Sequence, residues 1–327
     1  MELYLNTFGT YLHKKGEMFE VRIDDVSKRI SPKRISSIII SNAAQITTDA
    51  IQLAMENNID IIFLDKYGNP YGRIWFPKLG STTFIRRKLL QIYEHDEGMI
   101  FVKHWINRKI NNQINFAKLL LSKRTAKKEQ YKNLITKMEI KQKKLMQIEG
   151  KLSENANSIM GYEGNISRIY FKILSELIPA KYRFAHRSTR PAKDAFNAFL
   201  NYGYGILYGK VEKALIIAGL DPYIGLLHSD NYNKKSLVFD FIEPYRIFIE
   251  QPLFYLFSRH QIKDEYYDSL ENGVYINEAG KKFFVPVLME HFDKIERYKN
   301  KNRKLIDKIQ VDAHFFANYL IGKRKDF

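Results

Sequence analysis

Cysteine is absent from all 327 positions of the sequence. Disulfides, a thiolate nucleophile, Cys-type structural zinc and iron–sulfur clusters are therefore excluded, and any metal must be held by oxygen and imidazole nitrogen. Long apolar runs are also missing: no segment reaches the roughly 18 consecutive apolar residues of a spanning helix. Residues 1–9 carry Glu2 and Asn6 where a secretory leader would have a basic start and an apolar run, so the expectation is a soluble, cytoplasmic protein with no membrane segment. Negative charge is in short supply. Against 53 Lys and Arg stand 36 Asp and Glu, a formal net charge of +17. Such an excess repels itself unless a polyanion neutralises it, which makes nucleic acid the leading partner and anionic lipid headgroups the lesser one. Apolar and aromatic side chains are plentiful at 45% and 14%. That is enough for a sizeable core, and at about 100–200 residues per domain the length suggests two domains.

Short β-branched and aromatic runs mark strands at Leu3–Phe8, Met18–Ile23, Ile35–Ile40, Ile59–Leu64 and Tyr71–Phe76. Lys14–Glu17 reads as a hairpin loop and Lys66–Pro70 as a turn. One short helix is expected between Thr47 and Asn58. From Phe84 the apolar spacing changes to three and four, as in Leu89, Leu90, Tyr93 and then Phe101, Trp105, Ile106, Ile110. Pro77–Thr83 reads as the linker. The fold class is therefore α+β: a small β-rich N-terminal domain over residues 1–83, then a larger all-helical domain over 84–327. Ser122–Lys151, with ten Lys or Arg against three Glu, is expected as a helix with the apolar stripe Tyr131, Leu134, Ile135, Met138, Leu145, Ile148. Its basic face, including Lys143 and Lys144, is either solvated or a phosphate-contacting surface.

Three groups of residues could carry chemistry. The glycines of Asn201–Gly209 sit inside a helical pattern rather than between a strand and a helix, which favours close helix packing through Gly205 and Gly209 over a phosphate loop. Arg183, His186, Arg187, Arg190 and Lys193 form a compact basic connection, read either as a DNA-phosphate contact or as a loop solubilised by its charge. The eight histidines show no His-x-x-x-His pair, which argues against a zincin-type site. Glu163 between glycines, His228 in Gly219–His228, and Asp240 with Glu243 remain. Read singly, Glu163 is an N-terminal helix carboxylate, His228 a hydrogen-bonded turn histidine, and Asp240 with Glu243 a solvated helix start.

Taken together these segments resemble the CRISPR-associated integrase family, the adaptation nucleases that insert new spacers into repeat arrays. The resemblance rests on Glu163-Gly164 with Tyr170-Phe171, on Gly219-Leu220-Asp221-Pro222-x-x-Gly225-x-x-His228, and on Asp240-x-x-Glu243 followed by Arg246. The run from Arg190 to Gly205 and the two-domain layout agree with it. Many relatives carry Asp where this chain has Glu243, so a carboxylate is kept.

The resemblance implies that the helical domain is catalytic. It implies a Mg²⁺ or Mn²⁺ ion held by Glu163, His228 and Glu243, with Asp240 in support as the fourth catalytic residue, a donor set suited to a hard divalent cation. It further implies a metal-dependent DNA endonuclease and integrase, joining a 3′-hydroxyl to a phosphodiester of the repeat by in-line transesterification without a protein nucleophile. The implied partners are double-stranded DNA, as prespacer and repeat, a second copy of the chain through the N-terminal domain, and a small ferredoxin-like adaptation subunit. DNA contacts are expected from Arg183, Arg187, Arg190, Lys193, Lys143, Lys144 and Arg246. A non-catalytic basic scaffold and a branched-DNA repair nuclease remain as alternatives.

Overall fold

The computed structural model describes residues 2–35, 37–64, 70–74, 82–95, 97–122, 125–228 and 234–325. Two units, residues 1–78 and 79–327, each pack around a core of their own. The first runs β1 (Glu2–Leu5), β2 (Thr10–Lys15), β3 (Met18–Ile23), β4 (Val26–Ile30), β5 (Ser37–Ile40), β6 (Ala44–Ile46), α1 (Thr48–Glu56), β7 (Asp60–Leu64) and β8 (Pro70–Ile74). These form two four-stranded sheets of order β4-β3-β2-β6 and β1-β5-β7-β8. β1, β5 and β7 are parallel, and β5 reads Ser-Ile-Ile-Ile with every residue buried, as a parallel strand covered on both faces requires. The Thr47 hydroxyl caps α1 by accepting from the Ala50 amide, and Ala50, Leu53 and Ala54 turn inward onto Leu12, Ile38 and Ile61.

β3, β7 and α1 lie where the hydrophobic pattern puts them. β2, β4 and β6 were not expected. β4 reads Val-Ser-Lys-Arg-Ile with only Ile30 buried, so this polar edge strand carries no alternation to detect. The hairpin loop shrinks to Gly16-Glu17, because Lys14 and Lys15 pair with Phe19 and Met18. The expected turn at 66–70 and linker at 77–83 lie outside the described residues except at Pro70, Thr82 and Thr83.

The second unit is mainly helical, in the order α2 (Thr82–Glu94), α3 (Glu97–Ser122), α4 (Thr125–Met146), α5 (Leu152–Leu177), α6 (Ala195–Ile217), α7 (Ser236–Phe241), α8 (Ile247–Ser258), β9 (Tyr267–Leu270), β10 (Gly273–Ile276), α9 (Glu278–Phe292), β11 (Ile295–Tyr298), β12 (Lys301–Lys304) and α10 (Asp307–Leu320). The hairpins β9-β10 and β11-β12 depart from an all-helical expectation. β12 is Lys-Asn-Arg-Lys, and its register is fixed by the turn at Lys299-Asn300, both at positive φ, rather than by apolar alternation. α3 packs against α4 and α5, and Trp105 meets Phe241 of α7 and Phe316 of α10 edge-on at 5.4 and 5.3 Å.

Two local expectations change. Glu163 does not open a helix: it lies mid-way along α5, which runs through Gly161 and Gly164 because Ile159, Ile166 and Tyr170 bury one face, outweighing a glycine penalty of about 1 kcal/mol each. Close packing in α6 falls on Gly203 instead of Gly205 and Gly209; a Cβ at 203 would stand 2.5 Å from Ile249 Cγ2, whereas the other two face open space.

Candidate active site

α5 presents Glu163 toward α3, and Ser167 one turn later donates its hydroxyl to Glu163 Oε1 at 2.7 Å. From α3, the Lys109 ammonium pairs with the same oxygen of Glu163 and with Glu243 Oε2 at 2.5 Å. Two carboxylates from distant segments thus converge on one buried cation. Glu243 opens a 3-10 turn, Glu243–Tyr245, directly after α7, and Asn112 of α3 pins that turn by donating to the Pro244 carbonyl at 2.8 Å. Arg246 donates to Glu243 Oε1 from Nε at 2.9 Å and from Nη2 at 2.8 Å. Its guanidinium lies 4.7 Å from the Tyr204 ring centroid, and Tyr204 donates to Glu250 Oε1 at 2.6 Å. Burial pushes the Glu243 carboxyl up, but the charges of Arg246 and Lys109 outweigh it and hold the group at about 2. Burial lowers the Lys109 ammonium, and Glu163 and Glu243 raise it by more.

His228 is placed by a loop whose sequence explains its path. Gly219, at φ +82°, ends α6 in the left-handed conformation, the Leu220 amide returns to the Leu215 carbonyl at 2.9 Å, and Pro222 prevents the helix from resuming. Gly225 lies so close to Ser236 that a Cβ would collide with it. That approach brings the amides of Leu226, Leu227 and His228 onto the Asp240 carboxylate at 2.6, 3.0 and 3.2 Å. Asp240 also accepts from His228 Nδ1 at 2.5 Å. An ionised carboxylate only accepts, so Nδ1 donates to it, and in the neutral ring Nε2 is the nitrogen that holds the lone pair.

A pattern for the family described as CRISPR associated protein Cas1 matches residues 3–290. The chain belongs to the Cas1 family. It is 30% identical to the CRISPR-associated endonuclease Cas1 1 of Archaeoglobus fulgidus over 99% of this chain and 98% of that one, and 23% identical to the Cas1 endonuclease of Thermotoga maritima over 98% and 97%. Among solved structures it resembles a casposase bound to integration product, with a TM-score of 0.82 over 100% of this chain and 92% of that one at 23% identity. A Cas1 protein from Thermotoga maritima superposes with a TM-score of 0.80 over 100% and 99%, also at 23% identity. At such identities the structural likeness concerns the fold.

The four candidate site residues divide into two groups. Glu163 and Glu243 meet at Lys109, while His228 is tied to Asp240. Among the described residues no three His, Asp or Glu side chains stand close enough to hold a metal ion together. The two converging carboxylates still fit a hard cation in kind, and the free Nε2 of His228 supplies a third donor type.

The basic residues also separate. Arg183, Arg190, Lys193, Lys143 and Lys144 are exposed. Arg187 turns inward, with one nitrogen donating to Asn197 Oδ1 at 2.9 Å and the other to Asn201, and burial lowers its pKa. It ties the connection to α6 instead of pointing at solvent. Arg246, expected among the DNA contacts, is a partly buried partner of Glu243, because the turn folds its guanidinium back onto the carboxylate three residues earlier. Lys109 carries no motif and was not expected at the site. Its signal was a lysine on the stripe Val102, Trp105, Ile106, Ile110 of α3, a position where an unpaired charge would be costly.

Proposed function

We propose that this Cas1 protein is a metal-dependent DNA integrase and endonuclease of CRISPR adaptation, joining a 3′-hydroxyl of incoming DNA to a phosphodiester of the repeat. The observation that carries the reading is the convergence of Glu163 and Glu243, from two separate segments, on a single cationic point. Glu163, Glu243 and His228 would hold Mg²⁺ or Mn²⁺, and a bound ion would acidify the attacking hydroxyl and stabilise the developing charge. Around it, Arg246 keeps Glu243 ionised, Ser167 orients Glu163, and Asp240 fixes the His228 tautomer. The endonuclease names of curated relatives support the nuclease half, and the casposase caught on an integration product supports the strand-transfer half. The exposed arginines and lysines of the 183–193 connection and the end of α4 would grip double-stranded DNA through phosphates, since a spacer integrase must accept many sequences. A Cas6-RT-Cas1–Cas2 complex of related fold, with a TM-score of 0.76, supports assembly with a small adaptation subunit. The N-terminal unit would carry the contact with a second copy of the chain.

Strand transfer of a duplex with free 3′ ends into a repeat target, with Mn²⁺ present, tests the reading. Glu163→Gln, His228→Ala and Glu243→Gln should each abolish transfer with DNA binding retained, whereas Asp240→Asn, which only orients a ligand, should lose about 10- to 100-fold. Normal transfer by the His228 variant sinks the site; cleavage of branched DNA without transfer points to a repair nuclease, and neither activity to a scaffold. The grip is tested by salt. Neutralising about six to ten phosphates predicts a loss of roughly 10³- to 10⁵-fold in affinity between 50 and 200 mM salt. Arg183→Ala with Arg190→Ala should flatten that slope by about one unit for each phosphate no longer neutralised.

A further inference from the structure

Lys109 occupies the place where the two carboxylates would hold their ion. Its nitrogen is 2.5 Å from Glu243 Oε2 and also pairs with Glu163 Oε1, and its side chain is only 8% exposed. A Mg²⁺ ion bound by those oxygens would sit about 2.0–2.1 Å from them, and Mn²⁺ at a similar distance, in the space the ammonium fills. The two cations cannot share it. Arg246 cannot be the one to yield, being gripped twice by Glu243 and stacked on Tyr204, whereas Lys109 is a single point charge on a flexible four-carbon stem. A displaced, desolvated ammonium needs a new anion. Glu250 is a weaker competitor: one of its oxygens already accepts from Tyr204, and burial raises its pKa. A phosphodiester laid across the two carboxylates is the anion that arrives with substrate.

We propose that Lys109 is an exchangeable counter-ion that holds Glu163 and Glu243 together before the divalent cation binds, yields its place to that cation, and then pairs with a DNA phosphate, so that metal and DNA bind cooperatively. This rests on the metal site proposed above. The exchange explains why a site meant for a cation contains an ammonium, and it makes the ion's affinity depend on whether DNA is there to receive the lysine.

Calorimetric titration of Mn²⁺ into the full chain, with and without a duplex ending in 3′-dideoxynucleotides so that no transfer occurs, measures the coupling. In the wild type the duplex should raise Mn²⁺ affinity about tenfold, within the usual range for linked sites. Lys109→Met, or Lys109→Gln where the methionine variant folds poorly, should bind Mn²⁺ about tenfold more tightly without DNA and lose most of the gain on adding it. Equal or weaker DNA-free binding by the variants overturns the exchange. Wild-type protein offers an independent reading through amine-reactive labelling followed by mass spectrometry. Lys109 should be protected in the metal-free protein, several-fold more reactive with Mn²⁺ alone, and protected again with Mn²⁺ and duplex. Protection that persists with Mn²⁺ bound overturns it. A wild type that takes up no Mn²⁺ under either condition removes the metal site and the exchange together; uptake with unaltered variants removes the exchange alone.

Discussion

Arg108 and Lys109 are neighbours in α3, yet they enter charge clusters of different make-up. Lys109 is one cation between two carboxylates. Arg108 joins Lys299, Tyr245 and Tyr298 around the single carboxylate of Asp312, which accepts from them at 2.8, 3.1, 2.7 and 2.6 Å. Burial pushes Asp312 up, and Arg108 with Tyr298 holds it below the usual carboxylate range. Asp312, Arg108, Tyr298 and Lys299 line a cavity of about 190 Å³ with His104, Trp105, Phe241 and Phe316. The number of donors crowding each carboxylate separates a lock from a socket. Donors outnumber the acid at Asp312, so every lone pair is engaged and nothing is left for a visiting cation. At Lys109 three donors, Lys109, Arg246 and Ser167, are spread over two carboxylates and only Lys109 joins the pair, so another cation can compete for its place. Both clusters hold the same 3-10 turn, one through Glu243 and the other through Tyr245, which lets the fixed cluster anchor the exchangeable one.

The sharpest way to break this contrast is Asp312→Ala. It strands Arg108 and Lys299 beside a buried gap and should cost about 3–5 kcal/mol in urea unfolding, the penalty for removing one partner of a buried pair. The folded fraction should bind Mn²⁺ as the wild type does; equal loss of stability and of metal affinity would mean that the two clusters are one. A smaller cut is Tyr298→Phe, which deletes one donor from a carboxylate that keeps others and should cost about 1 kcal/mol. The smallest effect belongs to Glu20 on β3, a carboxylate buried beneath half-exposed donors in a cluster of the same donor-rich kind. Arg29, with Lys15 and His13, holds its carboxyl at about 2, against an ordinary 4.5. Because the folded value is depressed, this contribution is complete above the ordinary value and is lost as pH falls from 4.5 toward 2. Glu20→Gln should flatten acid melts in that window, and high salt should do much the same to the wild type, since Arg29 is half-exposed.

The fold was legible wherever burial imposed a period. β3, β7 and α1 carry apolar faces and stand in the sequence as they stand in the structure, while β4 and β12, polar edge strands fixed by partners and turns, do not. The site divides along a similar line. Glu163, His228, Asp240 and Glu243 were singled out because their types and spacings resemble the motifs of the family. Lys109 was not, because a lysine among core positions shows no partner until α5 and the 3-10 turn fold against it. Arg246 was expected at a DNA phosphate, and the structure turns its guanidinium onto Glu243: charge can be read from sequence, but the direction of a side chain cannot.

Gly203 gives this alignment a mechanical side. α6 can touch α8 only because position 203 has no side chain to keep Ile249 away. The next residue on each helix, Tyr204 and Glu250, closes the 2.6 Å hydrogen bond between them, and the face of Tyr204 carries the guanidinium that grips Glu243. A single methyl at 203 would act as a shim: it would pry α8 outward, carry Arg246 with it as the residue leading into that helix, and swing Glu243 off its aim without touching any charged group. The tolerance of the acidic pair is therefore set by the gauge of a helix crossing, and one carbon atom is enough to exceed it.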